Sequence, residues 1–280
     1  MTTASSGSRD DYIHGVAPDE QRRLAMMNAL INPPCLDELR LSPGERVLDV
    51  GSGLGMFTRE IAGRVGPTGR VLGIERDEAQ LEYAASQGHD ALAPSWVEFR
   101  QGDAAAPPLQ ADERESFDVA HCRFLLEHVR DPGAIVQGMV ESVKPGGRIV
   151  LADDDHDLLR LWPELPELDA LWRHYMRAYE HIGADPTVGR KLTSLLMDAG
   201  ARPTRTNVIN FGGCHGDPRF PLLVENFAGV LESARDRMDA IGLASAKTIN
   251  RVLADLREWA EQPDAVIWYV ICIAEGRRPA

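Results

Sequence analysis

The chain has 280 residues, 43 acidic against 30 basic, for a formal net charge of −13, and 44% of it is hydrophobic. That supply of apolar residues suits one large domain carrying an insertion. A chain this acidic is a poor partner for nucleic acid, whose phosphates require clustered Lys and Arg, and it is poorly suited to an anionic membrane surface. Cys35, Cys122, Cys214 and Cys272 form no C-x-x-C pair, so neither a zinc motif nor a disulfide framework is indicated, and free thiols in a reducing cytosol are expected. The N-terminus, MTTASSGSRDD, is polar and lacks the apolar stretch of a signal peptide. The longest apolar run, Ala265–Ala274, has about half the residues of a bilayer span. The expectation is a cytoplasmic protein with no membrane or nucleic-acid partner.

Along the chain, residues 1–17 read as a flexible segment and 18–280 as one domain. Residues 18–40 read as helical, with Leu24, Met27, Leu30 and Ile31 apolar, and Asn32-Pro33-Pro34 interrupts the pattern. Short apolar runs then alternate with helical stretches. Strands are predicted at Arg46–Val50, Arg70–Glu75, Trp96–Gln101, Phe117–His121 and Arg148–Ala152. Helices are predicted at Met56–Val65, Glu78–Ser86 and Gly133–Val143. This is the signature of βαβ units on a parallel sheet, with ligands at the C-terminal strand ends. Residues 46–152 make this core. After Ala152 the pattern becomes helical at 163–182, 189–199 and 220–261. Two further strands are predicted at Pro203–Phe211 and Ala265–Glu275, the last rich in aromatic and β-branched residues. Residues 153–182 and the insertion 212–262 read as a cap over the open strand ends, and the insertion doubles as a candidate dimer surface.

The most informative stretch is Val47–Phe57, VLDVGSGLGMF. Glycines after a strand and before a helix allow positive φ and close backbone approach, and they expose N–H groups at a helix N-terminus. The spacing is Gly51-x-Gly53-x-Gly55, with Met56 where a dinucleotide fingerprint has its third glycine. Asp49, two residues ahead, would repel a pyrophosphate. It suits orienting the loop, or holding the ammonium of a zwitterion through water or backbone.

With its leading acid, this stretch resembles motif I of the class I S-adenosylmethionine-dependent methyltransferases. Further residues carry the resemblance in order. They are Glu75 and Arg76 in VLGIERD, Asp103 and Ala104 in FRQGDAAAPP, the segment FDVAHCRFLLEHVRDP, and Val143–Gly147 before the fifth strand. YIHG at Tyr12–Gly15, followed by Glu20–Leu24, is similar to the N-terminal segment of the UbiE-like small-molecule group. The resemblance implies a Rossmann-like α/β fold: a seven-stranded, mostly parallel sheet with an antiparallel final strand and a helical cap. It implies S-adenosylmethionine as cofactor and S-adenosylhomocysteine as product. The implied cofactor residues are Tyr12, Arg23, Asp49, Gly51, Ser52, Gly53, Gly55, Glu75, Arg76, Asp103, Ala104, His121, Cys122 and Arg123. Glu75 would take the ribose hydroxyls and Asp103 the adenine amino group. Tyr12 and Arg23 would border the methionine end, and Cys122 would offer backbone groups. The implied reaction is methyl transfer to O or N of a small molecule, a natural-product or quinone-like acceptor of secondary metabolism. A cofactor-binding enzyme of cyclase type, or a regulatory binding module, is the alternative on the same fold.

Methyl transfer needs alignment of a nucleophile, exclusion of water and often loss of a proton. His128 titrates in the right range for a base. Asp154 and His156 lie in the run Asp153–Asp157, after the fifth strand, and complete the catalytic candidates. Four acids and a His invite a metal reading, but consecutive residues do not converge on one ion without a special loop, so no metal is expected.

Overall fold

The computed structural model describes residues 18–86 and 95–280. Tyr12 and the N-terminal segment read as flexible lie outside the described residues. The first helix, α1 (Pro18–Glu38), is not interrupted at Asn32-Pro33-Pro34 but runs through both prolines. Neither proline offers an N–H, so the carbonyls of Ala29 and Leu30 lose their helical donors. Burial of Ile31, Cys35, Leu36 and Leu39 against the core overrides that local cost. The central elements follow the sequence reading closely: β1 (Arg46–Val50), α2 (Met56–Val65), β2 (Arg70–Glu75), α3 (Glu78–Ser86), β3 (Val97–Gln101), β4 (Phe117–Arg123), α4 (Pro132–Ser142) and β5 (Val143–Asp154). Asp131 caps α4, its Oδ1 accepting from Ala134 N at 3.0 Å.

Beyond β5 come β6 (Arg160–Trp162), α5 (Pro166–His181), α6 (Leu192–Asp198), β7 (Arg202–Asn210), β8 (Gly213–Cys214), α7 (Phe220–Ser233), α8 (Arg235–Ala240), α9 (Ala246–Trp259), β9 (Val266–Trp268) and β10 (Val270–Arg277). The main sheet has the order β3-β2-β1-β4-β5-β10-β7. The first five strands are mutually parallel, and β10 runs antiparallel between β5 and β7. Alternate strand residues feed two cores. Val47, Val71, Val119 and Val150 point to one face, while Leu48, Leu72, Ala120 and Leu151 point to the other. A parallel sheet covered on both faces needs this double apolarity. The chain moves outward from β1 through β2 and β3, then returns to build β4 on the other flank. A crevice therefore opens at the C-terminal ends of β1 and β4.

The cap departs more from expectation. The helical stretch 220–261 is divided into three helices. The left-handed Gly242 (φ 73°) ends one turn and Ser245 caps α9 by accepting from Thr248 N at 3.1 Å. On α5, Leu168, Leu171, Trp172, Tyr175, Ala178 and Tyr179 are buried, the spacing of one helical face. The final strand is also divided. Tyr269 separates β9, which joins a three-stranded sheet β6-β9-β8, from β10 in the main sheet. That break turns the Tyr269 side chain inward.

A charged cluster ties the β2–β3 edge to the loop before β4. Buried Glu113 accepts from Arg100 Nη1 at 2.7 Å and from Arg70 Nη2 at 3.1 Å. The Arg100 contact, with the Gln110 N–H and the Arg70 charge, holds the Glu113 carboxyl at about 2, below its ordinary 4.5. A carboxyl lowered on folding stabilises above its unfolded value and loses that contribution as pH falls through the folded one. Glu113→Gln should therefore cost about 2–3 kcal/mol at pH 7. The thermal melts of the two forms should converge as pH is lowered from 4.5 towards 2. Parallel melts across that range would refute the assignment.

Candidate functional site

A cavity of about 530 Å³ lies along the C-terminal strand ends, running from the glycine loop to the cap. At the loop, Gly51 (φ 76°) and Gly53 (φ 53°) adopt left-handed conformations and line the cavity. Gly51 N and Ser52 N both donate to Ile74 O at 2.9 Å, which pins the loop to the end of β2. Glu75 completes that attachment. Its Oε2 accepts from Gly53 N at 2.9 Å, and its Oε1 from Arg76 N and Asp77 N, both at 2.8 Å. Burial nonetheless pushes its carboxyl up, against the pull of these three N–H groups. Asp103, whose Oδ1 accepts from Ala105 N at 2.9 Å, follows β3 and lines the cavity beside Ala104.

Asp49 and His121 are register partners on β1 and β4, so their side chains share a face. His121 Nδ1 lies 2.8 Å from Asp49 Oδ1, and Thr58 Oγ1 donates to Asp49 Oδ2 at 2.6 Å. Asp49 therefore ties β1 to β4 and to the start of α2 through neighbouring side chains. Arg123 crosses the cavity with its guanidinium 4.0 Å from the Phe57 ring centroid and donates to Asn28 Oδ1 (2.7 Å) and Asn32 Oδ1 (2.8 Å). Its Nη1 is buried without a partner.

Two of the expected cofactor residues do not line the cavity. Gly55, the left-handed residue before α2, faces packing instead: a Cβ there would lie 2.6 Å from Phe99 Cζ and 2.9 Å from Ala84 Cβ. Cys122 alternates with His121 and points to the opposite face, fully buried among Val50, Leu72 and Ile149. Burial pushes its thiol well above the ordinary value, as an apolar core residue requires.

The cap end holds the acid–histidine cluster, and the structure sorts the run Asp153–Asp157 into separate tasks. Asp153 Oδ2 accepts from Leu126 N (2.8 Å) and Leu125 N (3.2 Å), shaping the turn after β4. Asp155 makes a two-pronged pair with Arg190, at 2.5 Å and 2.7 Å, and Asp157 joins it at 2.9 Å. Only Asp154 and His156 line the cavity. His156 is buried, with Nε2 2.6 Å from Glu127 Oε2 and Nδ1 2.8 Å from the Tyr269 hydroxyl. Trp172 Nε1 donates to its backbone carbonyl at 2.7 Å, and the rings of Trp172, Tyr175 and Tyr179 surround the imidazole. His128 Nε2 approaches Glu127 Oε1 at 3.3 Å, and its ring stacks on Tyr179.

Burial dominates the protonation of this cluster. It pushes the Glu127 carboxyl up to about 8, opposed by the Arg23 charge, and raises Asp154 with help from the Glu127 charge. It lowers His156, and takes His128 down to about 3 with the added repulsion of His156 and Arg23. Both imidazoles are therefore neutral at physiological pH. Arg23 lines the same cavity, donates to Asn226 Oδ1 at 2.9 Å, and acts electrostatically on Glu127 and His128, which places it towards the cap end. The aromatic side chains of Phe211, Phe227 and Tyr269 close the wall.

Sequence reasoning assigned no role to two members. Glu127 lies in the quoted segment FLLEHV, but nothing local distinguishes it from a solvated acid. Tyr269 was hidden in an apolar strand pattern. Among the described residues, no helix is long and apolar enough to cross a membrane.

A family model described as a methyltransferase domain matches residues 41–200. The ubiquinone biosynthesis O-methyltransferase of Pseudomonas fluorescens (strain SBW25) is 40% identical over 114 residues, 41% of this chain and 46% of that protein. The demethylmenaquinone methyltransferase of Lactococcus lactis subsp. lactis (strain IL1403) is 33% identical over 125 residues, 45% and 48% of the two chains. The matches thus span about half the length of these relatives. The crystal structure of the [4+2]-cyclase SpnF shares the fold, with a TM-score of 0.56 at 18% identity, covering 88% of this chain and 81% of that one. With the glycine loop, the strand-end acids and the sheet order in place, the matched domain means that the chain belongs to the class I S-adenosylmethionine-dependent methyltransferases, of UbiE-like type.

Proposed function

We propose that the chain moves a methyl group from S-adenosylmethionine to an O or N atom of a small, flat acceptor held beneath the cap. A natural-product or quinone-like molecule fits best. The observation that carries this reading is the single cavity that joins the glycine loop to an aromatic-walled chamber containing Glu127, His128, Asp154 and His156. The names of the two relatives, one of ubiquinone biosynthesis and one a demethylmenaquinone methyltransferase, support the quinone-like class.

The residues present fit the cofactor. Glu75 Oε2 accepts one backbone N–H and has a lone pair left for a ribose hydroxyl. The unpartnered Nη1 of Arg123 suits a carboxylate, and the buried, unpartnered Ser52 Oγ lies on the loop. When bound, S-adenosylmethionine supplies a methyl group already activated on a positively charged sulfur. The chain's part is then to align and to dry the site. Trp172, Tyr175, Tyr179 and Phe227 exclude water and flank a flat acceptor. Asp154 Oδ1, buried without a partner, accepts a hydrogen bond from the acceptor's O–H or N–H.

The test is transfer of labelled methyl from S-adenosylmethionine to a panel of phenolic, quinol and amine acceptors. Asp154→Asn should lower kcat by about 10²-fold, with His128→Ala the smaller loss because an imidazole held at about 3 is too weak a base to take the proton effectively. Near-full turnover in both variants would leave alignment as the whole mechanism and remove the assignment of Asp154. The cyclase neighbour keeps a second reading open: tight S-adenosylhomocysteine binding with no methyl transferred to any acceptor would favour an enzyme that binds the cofactor without donating from it.

A further inference from the structure

The run Asp153–Asp157 does not converge on one point by itself, but the fold adds a donor from another strand end. Glu127, in the 3₁₀ turn after β4, meets Asp154 and His156 after β5. One donor atom from each lies within 4.8 Å of the others. Ligands on an ion with bonds of about 2.1 Å sit roughly 3–4 Å apart, so seating one needs the widest of these separations to close by about 1 Å and the Glu127–His156 pair to open by a similar amount. The Glu127 Oε2–His156 Nε2 pair, 2.6 Å apart, is joined by a hydrogen bond that a bound ion would replace.

Two further observations point the same way. Asp154 Oδ1 is buried with no hydrogen-bond partner. The Tyr269 hydroxyl holds His156 Nδ1 at 2.8 Å, which leaves Nε2 facing Glu127, the outer-sphere support that metal-binding histidines use.

We propose that Glu127, Asp154 and His156 form a binding site for a divalent first-row cation of the Mn²⁺ class, with its open positions facing the cap end of the cavity. Two carboxylates and an imidazole make an oxygen-rich, borderline donor set suited to such ions. If the proposed function holds, an acceptor hydroxyl completes the coordination, and the site favours oxygen acceptors over amines.

The test uses the full chain, stripped with EDTA and titrated with Mn²⁺ alone, following loss of the free-ion EPR signal. One Mn²⁺ should bind per chain in the micromolar range, and Glu127→Gln and Asp154→Asn should each weaken binding at least tenfold. Should either variant fold poorly by circular dichroism, Co²⁺ added to the wild-type chain decides instead: a hyperfine-shifted, exchangeable imidazole N–H resonance is expected. Absence of Mn²⁺ binding up to 1 mM (a ceiling about 100 times the expected midpoint, roughly 2.7 kcal/mol), equal binding by wild type and the double variant, or no shifted resonance with Co²⁺ overturns the site. S-adenosylhomocysteine binding, measured separately by calorimetry, keeps the two proposals apart. Cofactor binding without Mn²⁺ binding sinks the metal site alone, whereas Mn²⁺ binding without cofactor binding leaves it standing and sinks the proposed function.

Discussion

Glu75→Ala should weaken S-adenosylhomocysteine binding by about 10- to 100-fold, read by calorimetric titration. The carboxylate receives three backbone N–H groups, from Gly53, Arg76 and Asp77. Hydrogen bonds to a charged group contribute roughly 1.5–3 kcal/mol each, and leaving the donors unmet adds a desolvation cost. Losing the Gly53 contact frees the glycine loop, and on the proposed reading the ribose loses its acceptor in the same substitution. The isosteric Glu75→Gln should not rescue binding. Donors approach both oxygens, so an amide must set its NH₂ against at least one N–H whichever way it is flipped. Binding within threefold of wild type in either variant would show that the loop holds its shape without Glu75 and that the ribose is met elsewhere. Asp49→Asn should act more mildly, because its partners His121 and Thr58 can both hydrogen-bond an amide.

A second large effect is expected from stability rather than binding. Gly55→Ala should cost about 2–4 kcal/mol and lower the melting temperature by roughly 5–10 °C for a chain of this size. Two causes add. The backbone at φ 71° is left-handed, and the new methyl would lie 2.6 Å from the Phe99 ring. That ring is held between strand and helix, with the Arg59 guanidinium 5.1 Å from its centroid, so it has little room to move. Gly63→Ala, on the same helix α2, is the control. It has ordinary helical φ and open space at its Cβ, and should be neutral or stabilising by up to about 1 kcal/mol. If the two variants melt together, the steric account of Gly55 fails. The result also bears on how the glycine motif is understood. Gly51 and Gly53 face the cavity, whereas Gly55 lets α2 and α3 close on β3.

The core was readable because its rules are local. Val47–Val50 and Arg70–Glu75 are short apolar runs bounded by glycine and charge, and strands buried on both faces look like that in any order of assembly. Asp49, Glu75 and Asp103 sit at or near the C-terminal ends of successive strands, so sequence order alone carries them to one edge of a parallel sheet. The same rules failed where tertiary packing opposed them. Pro33 and Pro34 should have broken α1, yet buried neighbours keep it helical. His121 and Cys122 looked alike as strand-end residues, but a period of two sends one to the cavity and the other to the core.

The cap end of the cavity lay beyond such rules. Asp153, Asp154, Asp155 and Asp157 are chemically equivalent in the sequence, and only their partners separate them: backbone amides for Asp153, Arg190 for Asp155 and Asp157, and the cavity for Asp154. Glu127 and His156 are 29 residues apart, and Tyr269 lies 113 beyond His156. Local periodicity can say that a strand exists and which way its residues alternate. Which carboxylate meets which imidazole depends on the pairing of strand ends, on where β9 breaks from β10, and on burial that shifts protonation. These are long-range terms, set only once the cap has closed over the sheet.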